Sequence, residues 1–181
     1  MNAYTGGFAY PYDDPSYSGS IARRLQVAIS DLDPGQDGGG TYFVEGHYVT
    51  PDDAAAGNHF NNASYREVGV SGSGSSWSIS FSGMPATVRE QPGIRAWQDT
   101  DPSVTETDVF IPNEGLIIVA AKATDLGNGW YAYEYAIQNL NSDRSVGSVS
   151  IPMGGGAVQN IGFHDVDYHS GEPWDGTDWS D

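Results

Sequence analysis

Residues 115–141, GLIIVAAKATDLGNGWYAYEYAIQNLN, decide the fold class of this 181-residue chain. Two long apolar runs flank Gly127, Asn128 and Gly129, and Asn-Gly is a favoured two-residue hairpin turn because both residues tolerate a left-handed backbone. The spacing predicts an antiparallel hairpin. A loop at Gly127-Asn128 or at Asn128-Gly129 gives the same faces by period-2 alternation. Ile118, Ala120, Lys122 and Thr124 then lie with Tyr131, Tyr133, Tyr135 and Ile137, opposite a face of Ile117, Val119, Ala121, Ala123, Trp130, Ala132, Glu134 and Ala136. A three-residue loop changes that pairing. Both faces are largely apolar, as in a central hairpin covered on both sides or a sheet with one exposed aromatic face.

Outward from the hairpin, further strands are expected in short runs broken by Gly, Pro, Ser and Asp. RRLQVAISD (23–31) alternates Leu25, Val27 and Ile29 against Gln26, Ala28 and Ser30, and TYFVEGHYVT (41–50) alternates Phe43, Glu45, His47 and Val49 against Tyr42, Val44, Gly46 and Tyr48. REVGVS, WSISFSG, ATVRE, a short piece around 109–111, SVGSVSIPM and VQNIGFHDVDY bring the count to nine or ten. One short helix is predicted around 51–57, where Pro51 suits the first helical position and Asp52 and Asp53 suit the positive end of the dipole. The expected class is all-β, a two-sheet antiparallel sandwich or jelly roll.

The domain reading is an extended, Tyr-rich arm over 1–20 and one β-sandwich domain over 21–181. The acidic ending EPWDGTDWSD stops without a terminal strand, which reads as a chain truncated at its C-terminus and a sheet edge open to a neighbour.

Composition narrows the partners. Twenty-four acidic against seven basic residues give a formal charge of −17, which repels nucleic-acid backbones and anionic membrane surfaces. The same carboxylates make Ca²⁺ the natural cation. Cysteine is absent, removing disulfides and thiolate metal sites. No apolar run approaches the roughly 20 residues needed to span a bilayer, and the opening lacks the basic and apolar regions of a signal peptide. A single lysine in an Asp-, Ser-, Gly- and Tyr-rich chain points to the extracellular space or cell surface, any signal having been removed.

Three groups of residues invite chemistry. In FHDVDYH, a strand places Asp165, Asp167 and His169 on one face, a set suited to Ca²⁺ or Mn²⁺ and, with the imidazole, to Fe²⁺ or Zn²⁺. Glu45 or His47 is the distant fourth ligand such a site needs. The bland alternative is a strand end whose aspartates bind backbone N–H groups. Asp31, Asp33 and Asp37 in DLDPGQDGGG also suit Ca²⁺, with an acidic turn as the alternative, since their spacing departs from the EF-hand loop. Glu134 is the best single carboxylate for glycoside hydrolysis, with Asp165 or Asp167 as partner; a surface charge paired with Arg144 is the simpler reading.

The third group is aromatic. Tyr131, Tyr133 and Tyr135 form a stripe, with Trp174 and Trp179 near the end of the chain, and exposed aromatic rings stack on sugar rings. Alternatively the tyrosines line the core between two sheets.

GWYAYEYAIQNLNSDRSVGSVSIP (129–152), followed by IGFHDVDYHSGEPWDGTDW (161–179), resembles a stretch found in uncharacterised, secreted bacterial β-rich proteins. The resemblance covers roughly the last third of the chain and implies export and the β class, with no activity attached. The expected function is an extracellular binding or surface-assembly module that takes carbohydrate or another surface polymer, stabilised by Ca²⁺. A metal-dependent or two-carboxylate hydrolase of polysaccharide and a structural subunit self-associating by strand or arm exchange are the alternatives.

Overall fold

A computed structural model describes residues 1–9, 25 and 27–164. Asp165, Asp167, His169, Trp174 and Trp179 therefore lie outside the described residues, as does most of the 1–20 arm. The chain divides into two compact units, one of 1–13, 41–71 and 78–147 and the other of 14–40, 72–77 and 148–181.

The first unit holds the strands apart from 72–77, where β2 ends and β3 begins. Strands β1 (Tyr42–His47), β2 (Ala63–Ser73) and β3 (Ser76–Ser80) form one three-stranded sheet in that order. Strands β4 (Thr105–Ile111), β5 (Gly115–Gly127) and β6 (Trp130–Asn139) form a second, also in chain order. The protein is thus mostly β, with antiparallel pairing of β1 with β2 and of β5 with both β4 and β6. Six strands form among the described residues, not nine or ten. ATVRE contributes only one bridge, Val88 to Tyr65, and 145–163 joins no ladder.

The β5–β6 hairpin turns at Asn128-Gly129, with φ of 54° and 81°, the two left-handed residues that match the twist of the flanking strands. Its register corrects the expected faces. Gly127 pairs with Trp130, but the next pair is Asp125 with Tyr131, leaving Leu126 as an extra residue in β5. Gly127 N donates to Asp125 Oδ1 across this bulge at 2.8 Å. One unmatched residue reverses every side chain beyond it. Tyr131, Tyr133, Tyr135 and Ile137 consequently pair with Asp125, Ala123, Ala121 and Val119, and Ile118, Ala120 and Lys122 share the other face with Ala132, Glu134, Ala136 and Gln138.

That second face is the inner one. Ile118 and Ala120 are fully buried, and Leu116 and Ile118 cluster with Ala63 of β2 and with Leu140, flanked by Phe60 and Ile94. Asn141, 2% exposed, accepts from Leu116 N at 2.9 Å and donates to His59 O at 2.6 Å. It fastens the start of β5 to the loop before β2. Gly115 fits there because a Cβ would meet Ser142 N at 2.6 Å.

Four helices are short. α3 (Pro51–Ala55) follows the sequence expectation, with Thr50 as N-cap accepting from Asp53 N at 3.2 Å. α4 (Arg95–Thr100) has no side-chain cap, so no sequence cue announces it; Ala96 buries its inner side. In the second unit, α1 (Ile29–Leu32) and α2 (Pro34–Asp37) replace the end of the strand expected over 23–31, and Leu25, Val27 and Ile29 are exposed. Asp33 accepts from Gly35 N at 2.9 Å and Pro34 opens α2, so turn chemistry overrides the alternation. Near the N-terminus, the Tyr4 ring lies 4.3 Å from that of His59.

Asn141→Ala leaves the Leu116 N–H and the His59 carbonyl without these partners inside the protein. Stability is expected to fall by about 3 kcal/mol, read from urea denaturation.

Candidate functional site

The bulge at Leu126 sets the outer face of β6. Tyr131, Tyr133 and Tyr135 are 52%, 55% and 43% exposed because their β5 neighbours are Asp125, Ala123 and Ala121, none large enough to cover a ring. The Tyr131 and Tyr133 centroids lie 6.4 Å apart with ring planes at 35°. This is an open aromatic ledge, with Asp125 beside Tyr131 as a hydrogen-bond acceptor. The tyrosines do not line an inter-sheet core.

Glu134 faces the other way and stands opposite Lys122 in the ladder. Lys122 Nζ binds Asp101 Oδ2 at 2.8 Å, and that bond, with those from Ser103, holds the Asp101 carboxyl down at about 2. Arg144 pairs with Glu114 instead, which accepts from Arg144 N at 2.9 Å. Glu134 thus has a cation across the ladder, and among the described residues no second carboxylate is paired with it for acid–base work.

The carboxylates weighed for metal are similarly engaged or apart. Glu45 accepts from Gly93 N and from Gln138 Nε2 at 2.8 Å, while Gln138 Oε1 accepts from Ile94 N at 3.0 Å; this relay joins β1, β6 and the start of α4. His47 Nε2 lies 2.6 Å from Asn62 Oδ1. Asp33 caps α2, Asp31 lies 4.0 Å from the exposed His164, and the Asp37 side chain is outside those described. No cluster of three or more His, Asp or Glu side chains suited to a metal forms among the described residues.

One charged cluster escaped the sequence reading. Arg95 of α4 forks to Glu106 Oε2 at 2.5 Å and Asp108 Oδ1 at 2.6 Å on β4. The Glu106 side chain is 6% exposed, and its Oε1 has no hydrogen-bond partner. Beside it, the Tyr65 hydroxyl donates to Asp99. Burial first, then this hydrogen bond and the charges of Asp99 and Glu106, push the phenol up to about 12. The available cues were the alternation of Glu106 and Asp108 on one strand face and the four-residue spacing of Arg95 and Asp99, neither informative without the α4 assignment. The cluster joins α4 to the sheets. A groove of about 400 Å³ lies nearby, lined by Phe43, Ile94, Trp97, Thr100 and Ala136 among others.

Removing one partner of a buried ion pair leaves the other uncompensated, whereas replacing both does not. Arg95→Met is therefore expected to cost about 3 kcal/mol, and the double substitution Arg95→Met with Glu106→Leu to recover most of it, in denaturant titrations. Tyr65 gives a pH signature. A phenol raised from 10.0 to about 12 in the fold favours the neutral state, so its contribution is complete below pH 10 and is lost as pH climbs towards 12. Tyr65→Phe is expected to flatten that part of the alkaline stability profile.

Comparison with family models, curated proteins and solved structures finds no match to this chain, so the functional reading rests on its own residues.

Proposed function

We propose that this chain is an extracellular binding module that recognises carbohydrate, or a chemically similar surface polymer, through Tyr131, Tyr133 and Tyr135. The observation that carries the reading is the exposure of all three rings in one row on the outer face of β6. A pyranose presents C–H groups on its flat faces and hydroxyls around its rim. Aromatic rings take the faces by dispersion and quadrupole attraction, and phenol hydroxyls and a carboxylate take the rim. The ledge supplies both, with alanines beneath the rings so that a ligand meets no bulky side chain.

Charge limits the ligand. A formal charge of −17 disfavours polyanions such as uronate-rich or sulfated chains and leaves neutral glycans and those carrying amino groups. No helix among the described residues is long and apolar enough to cross a membrane. Export is supported by the single lysine and by the Tyr-, Asp- and Gly-rich composition. A stabilising role for Ca²⁺ belongs to the proposal as a property to be measured.

A glycan array followed by calorimetry, with and without Ca²⁺, is expected to find a neutral or amino-sugar polymer as ligand. Tyr133→Ala is expected to weaken that binding at least about tenfold, equivalent to about 1.4 kcal/mol, with folding unchanged because the ring is exposed. Binding that survives loss of all three tyrosines, or silence across the panel, removes the ledge as the site.

A further inference from the structure

We propose that copies of this chain associate by strand addition, residues 148–153 of one copy pairing with the open edge of β6 in another. Two observations made separately within one chain carry this. β6 is the last strand of its sheet: its inner ladder is with β5, and no described strand pairs with its other edge. Ten residues, Trp130–Asn139, thus present an edge row of backbone N–H and C=O groups, the template on which a further strand adds.

The second observation is a segment with the chemistry of a strand and no ladder. In SVSIPM, residues 148–153, Val149, Ile151 and Met153 alternate with Ser148, Ser150 and Pro152. The three apolar side chains are 48%, 46% and 50% exposed. Alternating β-branched residues at a period of two belong on a half-buried sheet surface, and this segment joins no ladder among the described residues. Pro152 is admissible on an added outermost strand, where a missing N–H can face away from the ladder.

Charge favours a second copy as the occupant. Two molecules of formal charge −17 repel over most of their surfaces. Residues 145–163 carry no side chain that is charged at neutral pH, and between Trp130 and Asn139 only Glu134 is, with Lys122 opposite it in the ladder. The two surfaces that would meet are therefore among those that pay least in repulsion. Main-chain hydrogen bonds supply the affinity, and Val149 and Ile151 add side-chain contact on one face of the widened sheet. A reciprocal exchange closes a dimer, and a one-way exchange propagates.

Size-exclusion chromatography with light scattering over a concentration series tests this on the full chain. The expected result is a mass that rises with concentration. In Val149→Asp with Ile151→Asp, the dissociation constant should rise at least about tenfold, with circular dichroism and melting unchanged because both side chains are already exposed. A wild-type mass fixed at that of the monomer overturns the proposal, as does association unaffected by the double substitution. Glycan binding measured on the same variant separates this from the ledge: it should persist, since neither residue belongs to the tyrosine row.

Discussion

A single unmatched residue governs what this protein offers to solvent. Leu126 has no partner in β6, and because side chains alternate strictly along a strand, its insertion decides which set of β6 side chains faces the core. The set that shares the face of Ile118 and Ala120 is Ala132, Glu134, Ala136 and Gln138; the set on the opposite face is Tyr131, Tyr133, Tyr135 and Ile137. Ala136 of that set is small enough to leave room for Phe43, Ile94 and Trp97 along the groove that it lines. Gln138 reaches the Glu45 carboxylate and the Ile94 amide from the same face. Without the extra residue, three phenols would have to enter that space and find partners for their hydroxyls, while Gln138 would lose its two connections.

The charged cluster has a different role. α4 begins without a capping side chain and is only six residues long, too short to persist on its own propensity. The Arg95 fork to Glu106 and Asp108, together with the Tyr65–Asp99 bond, holds it against β4 and β2. Burial of Glu106 makes this a costly way to gain stability and a specific way to gain position. The same logic applies to Asn141, whose amide satisfies two backbone groups that would otherwise be buried alone.

Much of the architecture was legible in residue order. A turn within 127–129, the long strands on either side, β1 and the Pro51 helix start all rest on local backbone chemistry that travels with the residues themselves. The bulge did not, because Asp125-Leu126-Gly127 has the composition of ordinary strand and turn; only the ladder reveals the mismatch. α4 was missed because its stability comes from packing and ion pairs contributed by β2 and β4. Residues 25–30 alternate like a strand in sequence, yet the Asp33-Pro34-Gly35 that follows imposes turns that win over alternation. The expected strand over 145–153 has the right pattern but no ladder among the described residues. For the candidate site, the tyrosine row was legible as a row, while its exposure depends on the bulge at Leu126, which reverses the faces that a regular two-residue hairpin gives.

The Lys122–Asp101 bridge has a practical corollary. Lys122 is the chain's single lysine, and its ammonium is hydrogen-bonded to a carboxylate that also raises its affinity for the proton. Acylating reagents attack only a deprotonated amine, so this bridge makes the Lys122 side chain a poor nucleophile near neutral pH. Labels and surface attachments made through amine chemistry will consequently be slow to form on this sheet, leaving the aromatic row of β6 unmodified and facing solvent.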